Sequence, residues 1–305
     1  MNYDVSICTP LYNRAYKILD LYESIKLQTN KNFEWIIIDD GSTDDILMKI
    51  EKIRKENLIM LKYKQKENGG KHTAINEALE IAEGKLFFIV DSDDVLTDNA
   101  IELIISEWEK IELSGEDLFI GVSGNRGYSN KKVIGDSLFN NHIDCTALEL
   151  RYKYNISGDK AEAFKTEILK KYLFPIFKNE KFLTEAVVWN RIACDGYKLR
   201  WINEIIYITE YLEDGLTKKY DSLMANNING TKLYYSELLN IKNVIDEDKR
   251  DIARTEYVKY LFINKTSLKE IIELVQDLKK TNILKGYIFA TIYKLKLLIK
   301  KVIKK

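Results

Sequence analysis

Asp91-Ser92-Asp93-Asp94 follows directly on the apolar run Leu86-Phe87-Phe88-Ile89-Val90. A buried strand here would deliver three carboxylates to one point at its carboxyl end. Like charges that close repel, and they stay ionised together only beside a divalent cation or a cationic ligand. Carboxylate oxygens suit Mg2+ or Mn2+, and such ions usually bridge the phosphates of a substrate. The chemistry implied is that of an enzyme acting on a nucleotide diphosphate. A solvated turn is the plain alternative, and an EF-hand is excluded because Val95 stands where an oxygen ligand is required.

Other polar loops carry similar double readings. Asp39-Asp40-Gly41-Ser42-Thr43-Asp44 is either a turn with a helix cap or a site where Asp40, at the tip of a strand, accepts a hydrogen bond from a base or ribose. Asn68-Gly69-Gly70-Lys71-His72 is either a tight turn before a helix starting near Thr73 or a phosphate-approach loop with Lys71 as its cation. It is not a Walker loop, since Gln65 and His72 stand where that pattern needs Gly and Ser or Thr.

The elements that must position these loops are short apolar runs followed by polar loops and helix-length segments. Val5 to Cys8, Trp35 to Ile38, Ile59 to Leu61 and Leu86 to Val90 read as strands in βαβα order. That order predicts an α/β domain with a mostly parallel sheet, helices on both faces, and ligands in the crevice at the strands' carboxyl ends. The loops 9–14, 39–45, 68–72 and 91–94 all fall at that edge. After Thr217 the rhythm gives way to helical spacing, such as Leu233, Leu238, Ile241 and Val244, which predicts a helical appendage.

Composition sets the outer limits. With 305 residues and 46% hydrophobic content the chain can bury a large core. Lys plus Arg and Asp plus Glu number 47 each, so no global field argues for a nucleic-acid partner. Cys8, Cys145 and Cys194 form no close pair, which suits a reducing, cytoplasmic setting. A signal peptide is not expected at the amino terminus, nor is a membrane-crossing helix anywhere. The segment from Ile283 to Lys305 holds Lys285, Lys294, Lys296, Lys300, Lys301, Lys304 and Lys305 and no acidic residue, interleaved with Ile288, Phe289, Ile292, Leu295, Leu298, Ile299 and Val302. It reads as a basic amphipathic helix suited to the inner face of an anionic membrane. Packing on its own domain and a homodimer contact are the alternatives.

The stretches VSICTPLYNRAY, FEWIIIDDGSTDD, ENGGKHTAINEALEIAEGKLFFIVDSDD and FLTEAVVWNRIA, in that order and spacing, resemble the family-2 inverting glycosyltransferases of GT-A fold. The resemblance covers roughly residues 3 to 217. It implies a GT-A domain over 1–217, with 1–97 binding a nucleotide sugar and 98–217 shaping the acceptor site, and an appendage over 218–305. Thr9, Pro10, Tyr12, Arg14, Asp39, Asp40, Asn68, Gly69, Gly70, Lys71, Asp91, Ser92, Asp94 and Asp159 are the expected donor-binding residues, with Tyr12 stacking on the base. Asp91 and Asp93 form the D-x-D element, and Asp93 is the first choice as ligand to Mn2+ or Mg2+.

Inverting displacement needs a base on the acceptor hydroxyl. Glu185, in FLTEAVVWNRIA, stands where the family carries that base, although a Glu at a helix N-terminus is favoured by the macrodipole in any protein. Ser157-Gly158-Asp159-Lys160 is expected to precede a helix, with Asp159 touching a sugar or capping that helix. Tyr211 to Thr217 resembles the family's late closing loop. A late histidine ligand has no counterpart, since His72 and His142 lie elsewhere.

The resulting expectation is a metal-dependent transferase, peripheral on the cytoplasmic membrane face. It would move a sugar from a UDP-sugar to a glycan or lipid-linked acceptor in capsule, exopolysaccharide or wall-polymer synthesis. A sugar nucleotidyltransferase would need a Gly-rich, Arg-containing loop after the first strand, which Thr9 to Asn13 lacks. A scaffold without turnover would have no use for Asp91, Asp93 and Glu185.

Overall fold

The computed structural model describes residues 2–138, 140–209 and 216–303. The chain divides into two compact units, Met1–Pro175 with Val188–Leu212, and Ile176–Val187 with Glu213–Lys305. The helices after 213 are therefore joined by an earlier segment, 176–187, which carries Glu185.

The first unit opens with β1 (Tyr3–Leu11), α1 (Ile18–Lys26), β2 (Phe33–Asp39), α2 (Ile46–Glu56), β3 (Met60–Gln65), α3 (Lys71–Ile81) and β4 (Gly84–Ile89). It continues through β5 (Val95–Leu96), α4 (Ala100–Ser114), β6 (Phe119–Gly127), β7 (His142–Cys145), a π-helical turn (Glu149–Lys153), β8 (Lys160–Lys165) and α5 (Thr166–Leu169). After the crossing segment, α6 (Ala186–Cys194) leads into β9 (Lys198–Ile208).

These strands form one sheet in the order β3-β2-β1-β4-β8-β6-β9-β5, with β7 also on β9. Pairing is parallel from β3 to β4, after which β8 enters antiparallel to both β4 and β6. The sheet is thus a GT-A-like mixed one, with its parallel half where the sequence alternates strand and helix. β2 is buried along its whole length, as its continuous apolar run requires of a strand covered on both faces. One face packs Ile7, Trp35, Ile37 and Phe88 against Leu21 and Ile25 of α1 and Ile104 and Trp108 of α4. Because β2 and β4 leave β1 on opposite sides, the chain reverses direction at β1, and the carboxyl ends of β1 and β4 flank the resulting crevice.

The second unit contains α7 (Leu216–Asn226), α8 (Ile228–Asn240), α9 (Glu247–Ile263), α10 (Leu268–Leu274) and α11 (Lys280–Ile303). Tyr235 of α8 stacks on Tyr257 of α9 at 5.3 Å. The Glu180 carboxylate accepts from the amides of Asn229 and Gly230, at 2.8 and 2.9 Å, and so caps α8 from the 176–187 segment.

Candidate active site

The turn after β4 is held from across the sheet. Tyr207 of β9 accepts a hydrogen bond from the Asp91 amide at 2.8 Å, and the Asp94 amide donates back to the Asp91 carbonyl at 3.3 Å. Three carboxylates then meet three cations from three separate elements. Lys71, the first residue of α3, places Nζ 2.5 Å from Asp91 Oδ1. Arg126 of β6 places Nη1 3.3 Å from Asp91 Oδ2 and 3.8 Å from Asp94 Oδ2. Arg14, in the loop after β1, places Nε 3.4 Å from Asp93 Oδ2.

Burial and charge set these carboxyls apart. Burial pushes Asp91 up, but the Lys71 and Arg126 cations outweigh it and hold the group well below the usual carboxylate range. Asp94 is pushed up to about 7 by burial and by the Asp91 charge, which Arg126 offsets only in part. Asp93 is raised by burial and by Asp91, against Arg14. The turn thus has one firmly ionised carboxylate flanked by two that lack enough positive charge.

Arg126 has no local signature in the sequence. It sits near the end of β6 with Nε donating to the Lys160 carbonyl at 2.9 Å and its guanidinium 4.2 Å above the Tyr207 ring. Only the β4-β8-β6-β9 order brings it to Asp91, so neither it nor Tyr207 is among the residues expected from the sequence.

The two acidic residues at the end of β2 turn inward. Asp39 accepts from the Ser42 amide at 2.8 Å, Tyr63 Oη at 2.8 Å and Gln65 Nε2 at 3.0 Å. Asp40 accepts from the amides of Gly69 and Gly70 at 2.8 and 2.7 Å and from Lys66 Nζ at 2.9 Å. Asn68 Nδ2 donates to the Asp40 carbonyl at 2.8 Å. Asp40 therefore folds the glycine loop and takes the amides at the entrance to α3 that a phosphate would otherwise meet. Gly70 adopts φ +96°, a conformation glycine reaches without strain. What this loop offers outward is Lys71.

Thr9 and Pro10 are buried in β1, and Thr9 Oγ1 accepts from Trp35 Nε1 at 2.9 Å. Tyr12 is 48% exposed, with its ring available to a planar ligand. Asn13 and Ala15 stitch this loop to the next. The Asn13 amide donates to Ser42 Oγ, the Thr43 amide to Asn13 Oδ1 and the Ala15 amide to Asp44 Oδ2, at 2.9, 2.8 and 2.8 Å. Ser92 is buried within the acidic turn.

Asp159 is exposed and precedes β8, so the helix expected after Ser157 to Lys160 is a strand. The reason is backbone pairing with β4 and β6, to which Lys160 Nζ adds bonds to Asn125 Oδ1 of β6 and to the Asp136 carbonyl at 2.7 and 2.8 Å. Glu185 directly precedes α6, at the helix start expected for it, and belongs to the second unit. Of the late segment Tyr211 to Thr217, residues 211–215 lie outside the described residues. Among the described residues, no group of three or more His, Cys, Asp or Glu side chains is placed to hold a metal ion.

Comparison with known proteins is consistent across sequence and fold. The model of glycosyl transferase family 2 matches residues 6–172. Glycosyltransferase GlyG of Streptococcus pneumoniae is 27% identical over 214 residues, 67% of this chain and 69% of that protein. The minor teichoic acid biosynthesis protein GgaB of Bacillus subtilis is 24% identical over 284 residues, 90% of this chain and 30% of that protein. The chain also spans 17% of an uncharacterized glycosyltransferase of Rickettsia felis. Among solved structures, residues 1–349 of S. aureus TarS in complex with UDP-GlcNAc superpose with a TM-score of 0.63 at 21% identity, covering 95% of this chain and 91% of that one.

Proposed function

The chain belongs to glycosyl transferase family 2, and on that premise we propose that it moves one sugar, with inversion, from a UDP-sugar to a hydroxyl of a glycan acceptor. The observation that carries the reading is the meeting of Arg14, Lys71 and Arg126 with the Asp91-Ser92-Asp93-Asp94 turn at the carboxyl ends of β1 and β4. A diphosphate entering there would meet Lys71 and Arg14 directly, while Tyr12, in the same loop as Arg14, presents an exposed ring to the base. TarS is a bacterial protein of the same fold with UDP-GlcNAc bound, which favours a uridine nucleotide. GgaB, a teichoic acid biosynthesis protein, favours a wall polymer as the acceptor class.

The donor set suits Mn2+ or Mg2+ at Asp93. Such ions are commonly bound through one or two carboxylates and completed by substrate phosphates, so a third protein ligand is not required. Asp91 is a weaker candidate, because both its oxygens are engaged by Lys71 and Arg126. When bound, the ion would neutralise charge on the departing diphosphate. Lys71 and Arg14 share that task from the protein side. Glu185 is assigned the proton of the acceptor hydroxyl, on the strength of its place in the family pattern.

Calorimetric titration of the protein with UDP and with GDP, with and without Mn2+ and with Asp93→Ala as control, tests this reading. UDP binding that needs both the metal and Asp93 is the expected result. If neither nucleotide binds, the transferase assignment falls.

A further inference from the structure

The last helix has two apolar faces where packing on one neighbour needs only one. Toward α9, Asn282 Nδ2 donates to the Asp251 carbonyl and to Thr255 Oγ1, both at 3.1 Å. Gly286 approaches so closely that a Cβ there would lie 2.6 Å from Val258 Cγ1, and Ala290 is buried. On the opposite side Leu284, Ile288, Ile292, Leu295 and Ile299 recur at steps of four, four, three and four residues, and so form one stripe. They are 43–61% exposed. Scattered exposed apolar residues need no explanation, but a continuous stripe rimmed by charge does.

The rim is cationic. Lys285 and Lys296 fall on one flank of the stripe, Lys294 turns back to the Phe262 carbonyl of α9 at 2.9 Å, and no acidic residue occurs from Lys280 to Lys305. We propose that this face docks α11 onto an anionic lipid surface, lying in the plane of the headgroups with Ile288 and Ile292 at the centre of the buried stripe. Charge complementarity selects this occupant. A second copy packed through the same stripe would bring the two lysine rims together with no acidic partner on either α11. Crossing the bilayer is not an alternative, since no described helix is long and apolar enough to do so. The proposal does not depend on the donor-site reading, because vesicle binding requires no nucleotide.

Co-sedimentation of the full chain with vesicles tests it, using phosphatidylcholine alone and an equal mixture with phosphatidylglycerol. The expected result is binding to the anionic vesicles at least about tenfold stronger than to the neutral ones and weakened by salt. Ile288→Glu with Ile292→Glu should lower binding by about tenfold or more while the circular dichroism stays unchanged. Should that variant fail to fold, Lys285→Gln with Lys296→Gln gives the same test from the charged rim. Absence of binding, equal binding to neutral vesicles, or binding undiminished in both variants would overturn the proposal. So would lipid-free self-association by sedimentation velocity that is lost in the isoleucine variant, which would identify a second copy as the occupant.

Discussion

Arg126 Nη1 lies 3.3 Å from Asp91 Oδ2, and the same guanidinium stacks 4.2 Å above Tyr207, whose hydroxyl accepts from the Asp91 amide. One arginine and one tyrosine, both from outside the βαβα half, thereby fix the orientation of the carboxylate and its backbone. Arg126→Lys keeps a positive charge but gives up the planar stacking and the second donor direction. We expect kcat to fall by about ten- to a hundredfold, since small displacements in a site of this kind have such effects. Arg126→Ala should cost about 3 kcal/mol of stability, because it takes the Arg126 charge from the buried Asp94 and leaves the half-buried Asp91 with Lys71. Steady-state rates and thermal unfolding of the two variants check this. Full activity in Arg126→Lys would show that orientation by Arg126 is unnecessary.

Glu185→Gln separates the base from the binding of donor. Removal of a general base costs about 10²–10⁴ in rate, whereas the amide is nearly the same size as the carboxylate and keeps the shape of the residue that precedes α6. Transfer should drop by that amount while the Kd for UDP changes by less than about twofold. Loss of UDP binding would mean that Glu185 supports the fold or the donor pocket instead.

Much of this site can be read from local pattern, because four strands each end in polar residues and the acidic turn follows an apolar run of strand length. Which atoms those residues satisfy cannot be read locally. Asp40 looks like an open acceptor at a strand tip, yet Gly69, Gly70 and Lys66, all distant in sequence, occupy it. Arg126 and Tyr207 reach Asp91 only because β8 enters antiparallel and sets β6 and β9 beyond it. The strand at Lys160 was hidden for the same reason, since its pairing partners lie in β4 and β6. The two faces of α11, by contrast, follow from a periodicity visible in the sequence, but which face meets α9 is decided by Gly286 and Asn282.

His72 supplies a pH dependence of stability. It is buried in the first turn of α3, and burial, reinforced by Lys66 and opposed by Asp40, lowers its pKa from 6.5 to about 4. The folded protein therefore holds His72 neutral while the unfolded chain takes up a proton below pH 6.5. The stability linked to this group is fully present above 6.5 and is lost as pH falls toward 4. We expect His72→Gln to flatten the stability profile between pH 6.5 and 4 by about 1–3 kcal/mol relative to the parent. Urea unfolding at several pH values measures it, and parallel profiles for the two proteins would remove His72 as the cause.

Gly121 and Gly115 make a pair that separates steric from conformational cost. Gly121 lies in β6 opposite Phe164 of β8, and an added Cβ would stand 1.9 Å from the Ala163 carbonyl oxygen. That obstacle is backbone, so no rotamer change relieves it and the strands must part, which weakens the β6-β8 pairing that sets Arg126 beside Asp91. Gly115 ends α4 at φ +69°, and a Cβ there meets nothing within 4 Å. Its replacement costs only the left-handed backbone penalty of about 1–2 kcal/mol. Gly121→Ala should cost about 3 kcal/mol or more, as forced overpacking of a close-packed interior does at its upper end. Thermal unfolding should therefore show Gly121→Ala melting well below Gly115→Ala, with transfer activity lost in the first and kept in the second. Equal melting temperatures would mean that the sheet absorbs the methyl group, and that the close β6-β8 approach is not what holds Arg126 in place.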